Sequence, residues 1–461
     1  MKYFVPIFLL ILIVNVTSLA QPYPEHNVYD TDLLPPSFFK ANRERLIKTL
    51  GDSAVVVMYS AGEHKRNNDV DYVYRQDDDF YYLTGFNEPN SILILSSVGF
   101  ESPDRGIVHE ALLVDQHDPF NENVVGKKLG PEGAMEILDF EYALANDDLS
   151  AILPEALINA KGIYLLAEPE ESKDPLKMLI NEIKSAVEPF KQTKFIGSPK
   201  PTLKTMRDVK QPEELAMMRK ALALTIQGQL SMMRSCKPEM FEYQLQSAFE
   251  FAITNGGGER IAYPCIIGSG ENSVILHYLT NRKQMKSGEV VVMDCGGEYH
   301  NYASDLTRTI PVSGNFSKEQ REIYDIVLLA QEEAIKTMKP GIKYYNEPTH
   351  KAQEVIRDGL LRLGIIKDSL DWRLFYPHDL GHPIGYSAHD ISVDNYLRPN
   401  QVWTVEPGIY IPANAKGVDP KYYNIGIRIE DEVLITETGI TVLSSDLPKM
   451  AEEVERMMGG K

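Results

Sequence analysis

The sequence predicts two domains, a smaller α/β domain followed by a larger α+β domain. The chain has 461 residues, more than one hydrophobic core usually serves, and 43% of them are hydrophobic, enough for two cores. Strand-like and helix-like runs alternate as far as about residue 203, whereas the remainder is rich in strands and interrupted by helices. A stretch with the glycine and proline content of a linker, residues 197–203, separates the two parts. We therefore predict domains over residues 21–203 and 204–461.

The first twenty residues, MKYFVPIFLLILIVNVTSLA, have the composition of a secretory signal. Lys2 is followed by an apolar run over residues 3–14, and the small-x-small triplet SLA ends the segment. A membrane anchor is the alternative, but the run is shorter than the ~20 residues that span a bilayer. We expect a signal peptide over residues 1–20, cleavage after Ala20, no stable membrane insertion afterwards, and a periplasmic or extracellular product.

The elements of the first domain are predicted from short apolar or periodic runs. Strands are indicated at residues 54–59, 91–96, 111–115 and 162–166. Helices are indicated at residues 38–50 and 174–187. Between two of the strands, Asp77, Asp78 and Asp79 are consecutive, so their carboxylates cannot all face one ion. We expect a solvated loop there.

The second domain opens with a predicted helix at Gln211, where Pro212 and two acids occupy the first turn. Further helices are predicted over residues 241–254, 317–338 and 347–363. Three separate strands of this domain end at or carry an acid amid apolar neighbours.

Charge and cysteine content exclude several classes of protein. A formal charge of −19 makes nucleic acid and anionic membranes poor partners. Three cysteines, an odd count, exclude a full disulfide framework. Cys295 directly follows Asp294 on a predicted strand, where alternation points it to the opposite face, so we expect it to pack in the core.

The most informative stretch is VVVMDCGGEYHNYASDLTR, residues 290–308. Its first residues form a buried strand, Gly296 and Gly297 supply turn chemistry, and a second extended run covers residues 302–311. Asp294 and Asp305 can therefore face each other across a hairpin. Two buried carboxylates facing each other are costly unless a cation meets them.

Other acids and histidines follow or lie on apolar strands of the same half. The string YPHDLGHPIGYSAHD contains His378, His382 and His389, VWTVEPGIYI contains Glu406, GIRIEDEVLIT contains Arg428 and Glu430, and His277 lies near a turn signal. His300 and His350 have no partner motif, so we expect them at the surface.

Four carboxylates with one imidazole suit two divalent first-row ions, and manganese, zinc and cobalt all accept such ligands. Two such ions would clamp a bridging water or hydroxide and lower its pKa, which predicts hydrolysis. Three histidines, His277, His378 and His389, can then hydrogen-bond a substrate carbonyl or a tetrahedral intermediate. Arg428 would hold the carboxylates by charge-assisted bonds.

At these residues the chain resembles aminopeptidase P, a family related to prolidase and methionine aminopeptidase. The matching pieces run in order from about Tyr74 to Glu437 and include TGFNEP, GSGENSVILHY, VEPGIY and GIRIEDEVLIT. The resemblance implies a pita-bread catalytic domain after a creatinase-like N-terminal domain, two bound divalent ions with manganese expected first, and a homo-oligomer. It implies metal ligation by Asp294, Asp305, His382, Glu406 and Glu430, proton transfer by Glu406, substrate binding by His277, His378 and His389, and supporting roles for Arg428 and Tyr410.

The chain departs from the family pattern at two positions. Asp379 stands where glycine usually follows the first histidine, and Pro383 follows His382 where an aromatic is common. In the family, an aromatic of the small domain can approach a neighbouring subunit's active site. Tyr81 lies in the matching stretch, although a core position explains it equally well.

These observations predict an exported dinuclear metallo-aminopeptidase that removes the residue before a proline. The alternative is a prolidase-type dipeptidase, which would need a cationic group for the free carboxylate of its substrate. A metal-free, creatinase-like member would lack several of the five ligands, and all five are present.

Overall fold

The computed structural model describes residues 31–165, 181 and 183–459. The predicted signal peptide lies outside the described residues, as does most of the helix predicted over residues 174–187. In the described part of the chain, no helix combines the length and apolar character needed to cross a bilayer.

The N-terminal half is built on a six-stranded mixed sheet. The strands of this half are β1 (Ala54–Tyr59), β2 (Lys65–Asn67), β3 (Val70–Asp71), β4 (Ile92–Ser102), β5 (Gly106–Val114), β6 (Ala143–Ala145), β7 (Gly162–Leu165) and β8 (Lys194–Gly197). The helices are α1 (Pro36–Leu50), α2 (Asp78–Thr84), α3 (Pro119–Val125), α4 (Gly130–Ile137), α5 (Leu149–Leu157) and α6 (Lys200–Asp208). The sheet order is β6-β5-β4-β1-β7-β8, with β1 parallel to β7 and antiparallel to β4. β2 and β3 form a separate exposed hairpin.

The expected solvated loop at Asp77, Asp78 and Asp79 is wrong. Asp77 instead caps α2, because its Oδ1 accepts from the Phe80 N–H at 3.0 Å, and the other two acids lie in the first turn. All three are partly buried, and Asp78 and Asp79 form ion pairs with Arg207 that are described below.

The C-terminal half combines long helices with several small antiparallel sheets. Its helices are α7 (Pro212–Ser235), α8 (Glu242–Asn255), α9 (Lys318–Thr337), α10 (Glu347–Arg362) and α11 (Ala451–Met457). Its strands are β9 (Arg260–Ile261), β10 (Ile266–Ser269), β11 (Val290–Cys295), β12 (Gly297–Tyr299), β13 (Tyr302–Ala303), β14 (Leu306–Pro311), β15 (Val402–Val405), β16 (Gly408–Ile411), β17 (Ile425–Arg428), β18 (Asp431–Ile435) and β19 (Ile440–Val442). Strands β10, β11 and β14 form one sheet, β15, β18 and β19 another, and β16 pairs with β17.

The predicted hairpin exists, but its turn is not at the glycine pair. Strand β11 pairs with β14, with Cys295 opposite Leu306, and the tip lies at His300 and Asn301, which have φ values of 47° and 64°. Gly296 is required for a different reason. A Cβ there would lie 1.7 Å from the Ser304 carbonyl oxygen, so the glycine permits the two arms of the hairpin to approach.

His300 is buried with 4% exposure, so its expected surface position is wrong, whereas His350 is exposed as expected. The two ring nitrogens of His300 lie 2.9 Å from Glu259 and 3.0 Å from Asp32. Burial alone would lower the pKa of His300. The hydrogen bonds to these two acids, which are far from His300 in sequence, outweigh that effect and raise the pKa.

The two halves share a continuous apolar core. Tyr302, Ile384 and Tyr386 of the C-terminal half pack with the apolar residues of the N-terminal sheet. The predicted boundary between residues 203 and 204 falls inside α6 and stays a prediction.

Candidate metal centre

The centre is built around Asp294, on β11, and Asp305, which immediately precedes β14. The Tyr263 hydroxyl lies against both carboxylates, at 2.7 Å from Asp294 Oδ1 and in a short contact with Asp305 Oδ1. Burial and the two carboxylates raise the pKa of Tyr263 well above its usual range, so this tyrosine stays protonated. Tyr263 therefore joins the two acids as a hydrogen-bond donor.

Arg428 neutralises part of this cluster from the end of β17. Its Nη2 contacts Asp294 Oδ2, its Nη1 donates to the Tyr410 hydroxyl at 2.9 Å, and its Nε is 3.3 Å from Thr307 Oγ1. The guanidinium is buried with 3% exposure. The predicted contact between Arg428 and the carboxylate cluster is present.

His382 presents a lone pair to the acids. Its amide donates to Thr404 Oγ1 at 3.0 Å, which holds it beside β15, and its Nδ1 lies 3.2 Å from the Pro383 carbonyl. Burial lowers the pKa of His382 to about 4, so the ring is neutral at pH 7 and carries its proton on Nδ1. The unprotonated Nε2 then lies 3.5 Å from Asp305 Oδ2 and 3.4 Å from Glu406 Oε1. A lone pair facing two carboxylates calls for a cation between them.

The ligand atoms of Asp305, His382 and Glu430 all lie within 4.8 Å of one another. Burial, followed by the neighbouring acids, raises the pKa values of Asp305 and Glu430 well above their usual range. Thr307 Oγ1 donates to Glu430 Oε2 at 2.8 Å, but Glu430 Oε1 is buried and has no hydrogen-bond partner among the described residues. This orphaned oxygen and the facing lone pair of His382 fit divalent cations.

Two further acids surround this trio. Glu406 follows β15, and its pKa is raised to about 8 by burial and the nearby acids. Glu432, on β18, accepts from the Asp305 amide at 2.9 Å, and burial raises its pKa to about 8 as well. Five of the predicted residues thus converge, three within one ligand sphere and Asp294 and Glu406 at its margins.

The three remaining predicted histidines, His277, His378 and His389, lie close enough to one another and to Asp294 to interact electrostatically. His378 Nδ1 is 2.8 Å from the Asp379 carbonyl and its Nε2 is 2.9 Å from the Tyr410 hydroxyl. Burial, then the charge of Arg428, lowers its pKa to about 4, so His378 is neutral with its proton on Nδ1, and Tyr410 donates to Nε2. His389 and His277 are exposed, and the His389 ring lies against the His382 ring at a centroid distance of 3.9 Å, with the two planes tilted by 41°.

His389 is held in place from the N-terminal half through its neighbour Asp390. Arg207 Nη2 and Lys210 Nζ bind the two carboxylate oxygens of Asp390 at 2.8 and 3.0 Å. Arg207 also binds Asp79 at 2.6 Å and Asp78 at 3.2 Å. The acids at the start of α2 thus belong to an ion network that reaches the histidine loop.

Tyr263, Glu432 and the Arg207 network were missed by the sequence reasoning. Tyr263 has no acid or histidine beside it, so only its distance from Asp294 identifies it. Glu432 carries a visible signal, because it follows Glu430 by two residues within a strand-like run.

Comparison with known proteins agrees with this architecture. Residues 216–437 match the model of metallopeptidase family M24, and residues 39–164 match the aminopeptidase P N-terminal domain. The Xaa-Pro aminopeptidase of Escherichia coli is 35% identical over 91% of this chain and 97% of its own length. The chain belongs to the aminopeptidase P family. Human Xaa-Pro aminopeptidase 3 is 32% identical over 88% of this chain and 81% of its own length.

Solved structures of the family superpose closely on the chain. Aminopeptidase PepP of Pseudomonas aeruginosa has a TM-score of 0.86 at 32% identity, covering 92% of this chain and 98% of its own. Zinc-substituted E. coli aminopeptidase P in complex with product has a TM-score of 0.85 at 34% identity, with the same coverage. The predicted family, the pita-bread domain with its preceding N-terminal domain, and the class of Xaa-Pro metallo-exopeptidase are confirmed. Members of this metallopeptidase family bind two divalent ions.

Tyr81 occupies the core of its own chain. It is 3% exposed and packs edge-on against Phe39 and Tyr386, at centroid distances of 5.8 and 6.0 Å. Of the two interpretations offered for this residue, the core aromatic is correct.

Proposed function

We propose that the chain releases the first residue from peptides of three or more residues whose second residue is proline. The observation that carries the proposal is the convergence of Asp305, His382 and Glu430 on one sphere, with a buried oxygen of Glu430 left without a partner among the described residues. An acid cluster of this kind, in a chain of this family, fits metal-assisted hydrolysis of an amide.

The ions would be held by Asp294, Asp305, His382, Glu406 and Glu430, with manganese expected first and zinc or cobalt also accepted. When bound, two divalent ions supply a Lewis acid and lower the pKa of a water molecule, so that a hydroxide nucleophile exists near neutral pH. Glu406 lies beside His382 at the margin of the site, where it can pass a proton to the nitrogen of the leaving proline.

The open face of the centre would bind and orient the peptide. His277 and His389 are exposed there and can hydrogen-bond the carbonyl before proline or the tetrahedral oxygen that follows attack. His378 and Tyr410 form one hydrogen-bonded unit with Arg428, which keeps Arg428 on Asp294 and His378 neutral. This unit supports the roles that we propose for Arg428 and Tyr410.

Proline in second place follows from the chemistry of the peptide. An X-Pro bond is a tertiary amide with a fixed φ and no N–H, so a peptidase that binds through that N–H cannot seat it. A site that holds the carbonyl group before proline and packs the proline ring would select X-Pro peptides, because the rigid ring then fits without loss of conformational freedom. The acids around the centre also suit the positive charge of a free amino terminus.

Mass spectrometry of the products from Ala-Pro-Ala, Ala-Pro and Ala-Ala-Ala tests this function. We expect cleavage of Ala-Pro-Ala alone to be rapid. Preference for Ala-Pro would instead support a prolidase-type dipeptidase, and rapid cleavage of Ala-Ala-Ala would overturn proline specificity. Titrating the purified apoprotein with manganese, zinc and cobalt identifies the ions that restore hydrolysis.

We further propose that residues 1–20 export the chain to a periplasm or beyond the cell, and that the mature protein is a homo-oligomer that inserts in no membrane. N-terminal sequencing of the mature protein should begin at Gln21. Light scattering should give a mass of two or more chains. An intact Met1 on the mature protein, or a monomeric mass, would contradict the respective proposal.

A further inference from the structure

Two of the three cysteines meet across neighbouring strands beside the metal centre. Ile266 of β10 pairs with Asp294 of β11, so the same register places Cys265 opposite Cys295. Directly opposed residues project to the same face of an antiparallel pair. The two thiols lie within hydrogen-bonding reach of each other, and both are free.

The backbone geometry of this position suits a disulfide. The Cys265 carbonyl accepts from Asn281 Nδ2 at 2.8 Å, and the Ile267 amide donates to Asn281 Oδ1 at 3.1 Å. Both groups therefore point away from β11, which makes the Cys265 and Cys295 position a non-hydrogen-bonded pair. Such pairs have Cα atoms about 4.5 Å apart, inside the ~4.4–6.8 Å range that a disulfide spans.

The surroundings of the Cys265 and Cys295 pair are buried and apolar. Cys265 and Cys295 are 1% and 0% exposed and belong to the same apolar core as Met293 and Leu306. Cys236, the third cysteine, is half-buried and packs at the edge of that core. A cross-strand thiol pair within a core is a specific arrangement, since packing alone would be served equally by two small apolar residues.

We propose that Cys265 and Cys295 close to a disulfide when the folding chain meets a disulfide oxidant. One cysteine thiolate attacks the oxidant disulfide and releases one thiol, and the second cysteine then attacks the mixed disulfide and releases the other. The oxidant gains two electrons and two protons, and the chain loses two hydrogen atoms. Because both thiols are buried, exchange takes place before β10 and β11 close over them or when they open.

The bond would fasten the strand that carries Asp294 to the segment that carries Tyr263. Asp294 immediately precedes Cys295, and Tyr263 lies two residues before Cys265. The 2.7 Å hydrogen bond between Tyr263 and Asp294 thus lies one to two residues from the two cysteines. Closing the loop of residues 265–295 also restricts the unfolded chain, which raises stability.

The test uses the full-length chain purified under reducing conditions. It is incubated with oxidised glutathione in urea just below the unfolding transition, and remaining thiols are alkylated in strong denaturant before peptide mapping. We expect a Cys265 to Cys295 cross-link, and a melting temperature several degrees higher than that of the reduced protein. Cys236→Ser should retain both effects and Cys295→Ser should lose both.

Separate glutathione adducts on Cys265 and Cys295, a cross-link that involves Cys236, or an unchanged or lower melting temperature of the cross-linked protein would overturn the proposal. The readouts are covalent and thermal, so they do not depend on bound metal, on activity or on export.

Discussion

Arg207 Nη2 lies 2.8 Å from Asp390 Oδ1, and this buried ion pair connects the N-terminal half to the loop that carries His389. Lys210 binds the other carboxylate oxygen at 3.0 Å. Burial raises the pKa of an acid, but these two cations more than reverse that effect and hold the pKa of Asp390 below its usual value. The N-terminal half therefore contributes to the site through charge, although its own acids lie outside the ligand cluster.

Asp390→Asn should weaken this connection. The change takes the ion-pair partner from the buried Lys210 and one of three carboxylates from Arg207, so we expect a loss of about 3–5 kcal/mol in the free energy of unfolding. His389 is the preceding residue, and we expect kcat of the folded protein to fall by about tenfold because its position loosens. Urea denaturation and steady-state kinetics measure these effects. Asp394→Asn is the control, since its pair with Arg398 is exposed and should contribute little to stability. Equal losses in the two variants would contradict a positioning role.

Glu430→Gln should lower the bound metal below two ions per chain and abolish most hydrolysis. The amide can still accept the hydrogen bond from Thr307, but it removes the negative charge of Glu430. That charge matters because Glu430 Oε1 has no hydrogen-bond partner among the described residues and is free to bind a cation. Elemental analysis of protein purified in parallel with Glu437→Gln, an exposed acid a few residues on, measures the difference. Full metal content in Glu430→Gln would contradict its assignment as a ligand.

His382→Ala and His277→Ala should separate metal binding from turnover. His382 places an unprotonated Nε2 about midway between two acids, so its loss should release metal. His277 is exposed and outside the ligand sphere, so its loss should reduce kcat while metal content persists. The reverse pattern, with metal lost in His277→Ala, would show that the two roles are misassigned.

Glu110→Ala should destabilise the N-terminal domain by about 3–5 kcal/mol. The Arg43 guanidinium binds both oxygens of Glu110, at 2.7 and 2.9 Å, and both side chains are buried. Without the carboxylate, Arg43 keeps its charge in the core. Lys40→Ala is the matched control, because its 3.5 Å pair with Asp139 is exposed and should cost less than about 1 kcal/mol by thermal denaturation. A similar melting temperature for both variants would argue against the buried pair as a stabilising element.

Glu214→Gln should remove part of the pH dependence of stability. Burial raises the pKa of Glu214 to about 7, above its usual 4.5, so the folded chain binds this proton more tightly than the unfolded chain does. Ionisation therefore costs nothing below pH 4.5 and destabilises the fold progressively as the pH rises through 7, by about 3 kcal/mol in all. As the pH rises from 4.5 to 7, the free energy of unfolding should fall less steeply in Glu214→Gln than in the wild type or in the exposed control Glu213→Gln. If the free energy of unfolding varied with pH in the same way in all three proteins, the raised pKa of Glu214 would be contradicted.

The position of the site was predictable from the amino-acid sequence because its signal is local. Asp294, Glu406 and Glu430 each interrupt or follow a run of apolar residues, and an acid in such a run is costly unless something compensates it. The helices predicted over residues 241–254, 317–338 and 347–363 lie within a residue or so of the observed α8, α9 and α10, since periodicity and capping residues act over one or two turns.

Which charges meet across the chain depends on the three-dimensional fold and could not be predicted. The expected solvated loop at Asp77 to Asp79 was wrong because Arg207, more than a hundred residues away, supplies the compensating charge. His300 was expected at the surface, yet Glu259 and Asp32 make its burial possible. Tyr263 could not be singled out, because a tyrosine beside no acid in sequence becomes a donor to two acids only when β10 and β11 pair. An isolated charge or hydroxyl has no local preference that reveals its partner, since the electrostatic energy depends on a distance that the fold alone sets.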